Sequence, residues 1–157
     1  MSTSNSPMPW EHSRFRNWVS CGKANLLVRK ALSDGLSEVG LELPQYDALA
    51  AIFRFPGLTQ RELADKLLVG RSNLSMLLPD MEKRNWIKRK PDVNDRRLRR
   101  LYLTSKGARL AEKGLTVQVE LTNYMCGAIS DDECDAIGEA MRKVGRYLED
   151  HPFKPTS

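Results

Sequence analysis

The chain has little of the chemistry on which most enzymes and secreted domains depend. It contains only two histidines, His12 and His151, near opposite ends, and three cysteines, Cys21, Cys126 and Cys134, without a Cys-x-x-Cys spacing. A Ser–His–Asp triad, a histidine-rich metal site and a disulfide framework are therefore not expected. The sequence predicts neither a bound metal nor a cofactor.

Long apolar runs are also missing, and no stretch approaches the roughly 20 residues of a membrane-spanning helix. The first residues have no basic segment followed by an apolar one, so secretion is not indicated. We expect a cytoplasmic protein that does not enter a membrane. With 157 residues, 41% of them hydrophobic and 29% charged, the chain is long enough for one domain with a buried core.

Positive charge is concentrated in one short segment. Residues 83–100 hold nine lysines and arginines against Asp92 and Asp95, whereas the net charge of the whole chain is only +5. The rest of the molecule is therefore slightly acidic. Such a concentration is typical of a protein that binds a polyanion, most often nucleic acid, although a solvated charged loop has the same composition.

The middle of the chain predicts a series of short helices. Apolar residues at helical spacing indicate a helix over residues 11–39 that ends at Gly40, and Pro44 can open a second helix. Thr59 and Glu62 form a capping box for a third helix, which is expected to stop near residues 69–70. A fourth helix begins at Arg71 and has one apolar face, while its other face carries small and basic side chains. Such a face suits insertion into a DNA major groove.

A basic β-hairpin and two longer helices follow. Residues 86–90 and 99–103 alternate around a turn at residues 91–95, which predicts a hairpin with a cationic tip. Thr104 and Ser130 are expected to cap the last two helices. The predicted fold is mainly α with a small β-hairpin wing, a winged helix-turn-helix. We divide the single domain into a loose tail (1–10), a winged helix-turn-helix (44–104) and terminal helices (11–40 and 105–150).

At these residues the sequence resembles the multiple-antibiotic-resistance regulator (MarR) family of bacterial transcription factors. The resemblance runs from about Leu41 to Leu110 and is strongest over residues 58–107. Asp95, Arg96 and Arg97, followed by the Leu-Tyr-Leu-Thr run at 101–104 and a glycine at 107, are similar to the family's wing signature. The family resemblance implies a transcriptional regulator without enzymatic activity.

The resemblance also implies which residues contact double-stranded DNA. The counterpart of Arg97 enters the minor groove and that of Asp95 orients it, which agrees with the reach of a charge-assisted hydrogen bond. For Asp95 and Arg97 the alternative is a plain surface ion pair. For Ser72 and Ser75 the alternative is that they only face solvent, and helix capping alone explains Thr59 equally well. The predicted DNA-binding residues are Thr59, Gln60, Arg71, Ser72, Asn73, Ser75, Met76, Lys83, Arg89, Asp95, Arg96, Arg97 and Arg99.

Two residues depart from the family's pattern in this region. Pro79 lacks an N–H and is expected to kink the recognition helix. Asn85 replaces the glycine that is common at the turn after this helix, and asparagine tolerates the left-handed conformation that such a turn requires.

Family membership would further imply a homodimer, joined by its first and last helices, on a pseudo-palindromic operator with half-sites about one helical turn apart. Apolar stripes near both ends of the chain support a dimer, and packing within one chain is the alternative. A small effector, such as an aromatic acid or an acyl-CoA thioester, would bind between the dimer helices and the DNA-binding lobe. Candidate lining residues are Arg16, Trp18, Cys21, Asn25, Arg29, Tyr46 and Phe53.

Each effector candidate also has an ordinary explanation. Trp18 and Phe53 are expected in the core, and Cys21 as a small buried apolar side chain. Cys126 and Cys134 are expected to be ordinary helix residues. The main function predicted is a ligand-responsive repressor. Two alternatives use Cys21: a thiol-based redox regulator on the same fold, and a small cysteine-dependent enzyme with His12 as its base.

Overall fold

The computed structural model describes residues 8–155 and is mainly helical. A short 3-10 helix at Pro9–Glu11 precedes four helices, α1 (Phe15–Glu38), α2 (Leu43–Arg54), α3 (Gln60–Leu67) and α4 (Arg71–Lys83). Strands β1 (Ile87–Pro91) and β2 (Arg99–Leu103) form an antiparallel hairpin, and α5 (Ser105–Cys126) and α6 (Asp131–Asp150) complete the chain. The predicted winged helix-turn-helix is confirmed. Residues 1–7 of the predicted loose tail lie outside the described residues.

Most helix ends follow the predicted capping chemistry. Gly40 takes a left-handed conformation (φ 75°) after α1, and the hydroxyls of Thr59 and Ser130 accept the backbone N–H groups of Glu62 and Glu133. Thr104 likewise accepts the N–H of Gly107 at 3.0 Å at the start of α5. These caps satisfy N–H groups that have no partner within the helix.

The turn between α3 and α4 differs from the expectation. Helix α3 ends at Leu67, and Leu68, not a glycine, adopts the left-handed conformation with φ 52°. Gly70 is instead extended (φ −62°) and is the N-cap of α4. Helix α4 continues through Pro79, which is exposed, to Lys83.

The hairpin is held against the rest of the fold by a third extended segment. In the hairpin Ile87 lies opposite Leu103 and Arg89 opposite Leu101. On the other side of β2, the N–H of Gly57 donates to the carbonyl of Leu101 (2.9 Å), and the N–H of Leu101 donates to the carbonyl of Leu58 (2.8 Å). Strand β2 is therefore central, with the segment before α3 as its second neighbour.

The core lies where α1 to α4 meet this central strand. Its fully buried large side chains come from all five elements: Leu36, Leu49, Ile52, Leu63, Leu74, Leu78, Met81 and Leu101. Burial of a leucine or isoleucine side chain stabilises a fold by about 1.5–3 kcal/mol. The core thus fixes the two helices of the helix-turn-helix and the base of the wing on one support.

The chain divides into two compact units, one ending at Gln118 and the other beginning at Val119. In the first unit, α5 approaches its neighbours so closely that it needs glycine. A Cβ on Gly107 would lie 1.9 Å from the carbonyl oxygen of Trp86, and a Cβ on Gly114 would lie 2.5 Å from the ring of Tyr46.

The second unit consists of the end of α5, a turn and α6. None of the α6 residues, all of which the structure describes, is buried. The apolar side chains Ile137, Met141 and Leu148 are among those exposed. Between residues 8 and 155, no helix combines the length and apolarity that crossing a membrane would require.

We predict that Gly107→Ala strongly destabilises the protein. The new methyl group would overlap a backbone carbonyl, which cannot rotate away, and overpacking of this kind costs about 1–3 kcal/mol or more. Gly145→Ala is the control, because a Cβ at that position would have nothing within 4 Å and alanine is favoured over glycine within a helix. Thermal unfolding should show a lower Tm for Gly107→Ala only; an unchanged Tm would contradict the close approach.

Candidate nucleic-acid interface

The first turns of α4 present a continuous exposed face. Arg71, Ser72, Asn73, Ser75 and Met76 are all exposed, Met76 to 83%. The opposite face of the helix carries the buried side chains of Leu74, Leu78 and Met81 and is packed into the core. Because packing fixes one face, the other is held outward on a rigid element. Five of the thirteen residues predicted to bind DNA therefore lie together on this face.

The N-terminus of α3 is occupied by its own cap. The N–H of Thr59 donates to Oε2 of Glu62 at 2.7 Å, and the Thr59 hydroxyl donates to the same oxygen at 2.9 Å. The backbone and hydroxyl hydrogen bonds from Thr59 lower the pKa of Glu62 below its ordinary value. The Thr59 side chain is thus fully engaged in capping, which was one of the two roles expected for it.

Gln60 connects the two helices of the helix-turn-helix. Its Nε2 donates to Oγ of Ser75 at 2.9 Å, and the Ser75 hydroxyl donates to the carbonyl of Arg71 at 3.0 Å. Two side chains predicted to touch DNA are therefore hydrogen-bonded to each other. This contact sets the position of the exposed face of α4 relative to the start of α3.

At the wing tip, Asp95 holds Arg97. The Asp95 carboxylate accepts the backbone N–H of Arg97 at 3.0 Å and its Nε at 3.1 Å, while Nη2 donates to the second oxygen at 3.3 Å. These bonds, first of all that from the side chain, lower the pKa of Asp95. The Arg97 side chain is 92% exposed. The predicted orientation of the wing arginine by Asp95 is present.

At the wing base, a second pair was not foreseen from the sequence. The Asp92 carboxylate is buried, accepts the N–H groups of Asn94 (2.7 Å) and Asp95 (2.9 Å), and forms an ion pair and hydrogen bond with Nε of Arg100. Arg100 also donates from Nη1 to the carbonyl of Gly57 at 2.8 Å. The hydrogen bond from Arg100, followed by those from the two amides, holds the pKa of Asp92 at about 2.

The basic segment is therefore not uniformly available to a partner. Arg84 pairs with Asp80 at 2.6 Å. Arg89 is half-buried with its Nε 3.0 Å from Glu82, a separation that meets the distance of an ion pair without the geometry of a hydrogen bond.

Other cations of this segment have no such partner. Within the part of the chain that the structure describes, Arg96 and Arg99 have no carboxylate within 4.0 Å. Lys83, Lys88 and Lys90 are exposed. The cations left for a polyanion therefore lie on the wing and the end of α4.

A groove of about 580 Å³ lies between the start of α3 and the wing. Its walls carry five arginines against two carboxylates: Arg61, Arg89, Arg97, Arg99 and Arg100 face Glu62 and Asp65. An excess of cations in a concave surface attracts anions more strongly than the same charges on a flat surface. The groove joins the predicted wing contacts to the predicted α3 contacts.

The effector candidates are not gathered in one place in this chain. Arg16 lines a shallow cavity with residues 10–19, Arg29 lines a second cavity with α2 and α4, and Tyr46 and Phe53 line a third. Asn25 is exposed. The expectation that Trp18 and Phe53 belong to the core is wrong, since they are 49% and 40% exposed.

The cavity at Tyr46 and Phe53 combines apolar walls with cations. It measures about 500 Å³ and is also lined by Asp47, Arg54, Phe55, Lys66 and Leu115. Nζ of Lys66 lies 4.0 Å from the centre of the Phe55 ring, a cation–π distance. Burial raises the pKa of Asp47 and that of Tyr46. The cationic rim was not predictable from the sequence, since Lys66 follows no recognisable motif.

One of the three cysteines differs from expectation. Cys21 is exposed and not a buried apolar side chain, since residues 16–27 of α1 are all exposed. Cys126 and Cys134 lie in α5 and α6, as expected of ordinary helix residues, and interaction with the Cys126 side chain raises the pKa of Cys134. Within residues 8–155, no cluster of three or more His, Cys, Asp or Glu side chains is placed to hold a metal.

The fold and this face define a winged-helix transcriptional regulator, and comparison with known proteins agrees. The family model that matches, over residues 39–98, describes the MarR family. An HTH-type transcriptional regulator of Bacillus anthracis is 30% identical over 115 residues, which cover 73% of this chain and 76% of the relative. The chain belongs to the MarR family, so it is a DNA-binding transcriptional regulator and not an enzyme.

Solved structures show the same fold. Wild-type apo MarR from Escherichia coli superposes with a TM-score of 0.68 at 25% identity, covering 79% of this chain and 93% of that one. A mutant E. coli MarR in complex with operator DNA superposes with a TM-score of 0.71 at 24% identity, covering 85% and 99%.

We predict that the Asp92 carboxyl stays ionised down to about pH 2. Because its pKa in the folded protein lies below the ordinary value of 3.8, its contribution to stability is present above about pH 4 and is lost as the pH falls through the folded pKa. Carbon-13 NMR of the side-chain carboxyl as a function of pH measures the pKa of Asp92, and the Asp92→Asn variant assigns the signal. Arg100→Gln should raise the pKa of Asp92, whereas an ordinary titration in the wild type would contradict the pairing.

Proposed function

We propose that the protein is a homodimeric repressor that binds a pseudo-palindromic duplex and is released by a small anionic effector. The observation that carries the proposal is the wing: an almost fully exposed Arg97, oriented by Asp95, beside the exposed face of α4. An arginine held outward in this way suits a narrow minor groove, whose negative potential attracts it. The α4 face then occupies the adjacent major groove, where each base pair presents a distinct pattern.

The predicted contacts divide into two kinds. Ser72, Asn73 and Met76 lie where they can reach base edges, whereas Arg96, Arg99 and Lys83 supply charge for phosphates. Gln60 and Ser75 support the first group through their mutual hydrogen bond. Thr59 and Arg89 are committed to Glu62 and Glu82, so we assign them to the frame of the interface.

A second copy of the chain is proposed to cover the apolar surfaces of α1 and α6. Leu26 and Leu27 on α1 are 70% and 57% exposed, and the exposed apolar residues of α6 follow helical spacing. Contiguous exposed apolar patches mark interaction surfaces. A twofold dimer would carry two wings and two α4 helices, and DNA with half-sites about one turn apart would fit it. As a DNA-binding protein it would act in the cytoplasm, as expected from the sequence.

The cavity at Tyr46 and Phe53 is the proposed effector site. Its aromatic and aliphatic walls suit a ring, and Lys66 and Arg54 suit a carboxylate. Its volume of about 500 Å³ is within the usual range for small-molecule sites, and an aromatic acid fits better than the whole of an acyl-CoA thioester. Native mass spectrometry of the purified protein, with benzoate-type acids and acyl-CoA thioesters as probes, tests the choice. An effector of the repressor must also weaken DNA binding, because it favours a different dimer geometry.

DNA binding is tested by selection from a pool of randomised duplexes, which should enrich a pseudo-palindrome. For the enriched duplex, we predict that Arg97→Ala lowers the affinity about tenfold or more, the scale of one specific arginine contact. Arg146→Ala is the matched control, since it removes the same charge from α6. Fluorescence anisotropy at physiological salt measures both. Unchanged affinity in Arg97→Ala would contradict the wing assignment.

A charged substitution on the apolar face of α6 tests the proposed dimer. Met141→Lys should shift the protein from dimer towards monomer in sedimentation velocity, because an unpaired lysine in an apolar interface is costly. Glu149→Lys places the same residue elsewhere on the same helix and should leave the dimer intact. A wild-type monomer at micromolar concentration would rule out this part of the proposal.

The redox alternative makes a different prediction for the same assay. If Cys21 regulated the protein, hydroperoxide would lower the affinity of the wild type for the enriched duplex and Cys21→Ser would abolish the response. We expect peroxide to leave the affinity unchanged, because Cys21 lies outside the groove and the α4 face.

A further inference from the structure

We propose that Asp92 and Arg100 are positioning residues for DNA binding. They hold the wing in a fixed position beside the start of α3 and make no DNA contact themselves. The inference rests on the proposed function. It assigns Arg100, a member of the basic segment, to an internal role, and it gives Asp92, a buried negative charge within the same segment, a positive effect on DNA affinity.

The wing tip has few other attachments. Between Pro91 and Arg99, all of which the structure describes, Asp92 is the only buried residue, and Val93 beside it is 96% exposed. The tip is closed by two backbone bonds, from Asp92 N–H to the Leu98 carbonyl and from Leu98 N–H to the Asp95 carbonyl. Those bonds fix the shape of the turn, but they do not join it to the rest of the fold.

Asp92 and Arg100 provide that connection. One carboxylate oxygen of Asp92 accepts the two amides of the turn, and the other accepts Nε of Arg100. Nη1 of Arg100 extends to the Gly57 carbonyl at 2.8 Å and lies 4.0 Å from Oε2 of Glu62. That Glu62 oxygen caps α3. A chain of charge-assisted hydrogen bonds thus runs from the wing turn to the Gly57 carbonyl, and an ion pair at 4.0 Å extends it to the start of α3.

Arginine is required at position 100 because its guanidinium donates in two fixed directions. Lysine would keep the charge but is a point donor on a flexible stem, and it cannot reproduce the planar fork. Since a mere phosphate contact tolerates lysine, the two roles are separable by experiment. The half-buried Arg100 side chain (34% exposed) contrasts with Arg97 (92%) in the same hairpin.

The sign of the Asp92 effect is the sharper distinction. If Asp92 were only a nearby negative charge, Asp92→Asn would remove repulsion and strengthen DNA binding. If Asp92 positions the wing, the same change weakens binding because Arg97 is no longer held in place. The loss should also be smaller in an Arg97→Ala background, since interactions that act through one residue are not additive.

The experiment measures affinity for the selection-enriched duplex, by anisotropy, for Asp92→Asn and Arg100→Lys. Each should lose about tenfold, the scale of a hydrogen bond between charged groups. Asp80→Asn and Arg84→Lys are the matched controls, because they alter a similar Asp–Arg pair in the same region and should stay within about twofold. Circular dichroism at the assay temperature verifies folding. If Asp92→Asn does not fold, Arg100→Lys alone decides the test.

The outcomes separate the two proposals. Tighter binding by Asp92→Asn, unchanged binding by Arg100→Lys, or losses fully additive with Arg97→Ala would overturn the positioning role while leaving DNA binding in place. A wild-type protein that enriches no duplex and fails to bind a random duplex at low salt would overturn both. Weaker binding of Asp92→Asn and Arg100→Lys, coupled to Arg97, supports the inference.

Discussion

The placement of strand β2 between β1 and the segment before α3 is the constraint on which the rest of the structure depends. Leu101 is fully buried, and its backbone bonds to Leu58 and Gly57 on the side away from β1. Because side chains alternate along a strand, burying Leu101 turns Arg100 to the opposite face, towards Gly57 and the Asp92 carboxylate. One hydrophobic anchor thereby decides how Arg100 is directed.

Ion pairing divides the positive charge of the basic segment into structural and available parts. Arg84, Arg89 and Arg100 are paired with carboxylates, whereas Arg96 and Arg99 are not. A count of charges from the sequence overestimates the number of phosphates that the segment can neutralise. The electrostatic contribution to DNA affinity depends on the available charges alone. A wing with fewer but better oriented cations gains sequence specificity rather than non-specific electrostatic affinity.

The sequence was sufficient for the fold because local signals were strong and agreed with each other. Capping residues at 59, 104 and 130 and the turn-forming residues of the wing each have a local physical cause, and the structure contains all of them. Asn85 was expected to take a left-handed conformation and does so, with φ 59°. The orientation of Arg97 by Asp95 was predictable for the same reason, since the two residues are close in sequence.

Features that depend on distant residues were not predictable in this way. Arg100 meets Gly57 across 43 positions, and no local pattern distinguishes it from Arg99 beside it. Leu68 adopts a left-handed conformation that glycine would normally supply, because the packing of α3 and α4 overrides its local preference. The exposure of Trp18 and Leu26 could likewise not be predicted from helical periodicity. Periodicity identifies the apolar face of a helix but not the element that covers it.

The exposed apolar face of α6 needs a partner that covers it. A helix with an apolar face is stable in water only when something covers that face, and in α6 nothing within the helix itself is buried. In the proposed dimer a second copy supplies this cover, and it is the partner always present at the same concentration as the chain. If the helices at the ends of the chain fold only in the dimer, then any change in their folding also changes the spacing of the two wings. A ligand that binds differently to two dimer geometries would then shift both together, which is the physical route by which the proposed effector would control DNA binding.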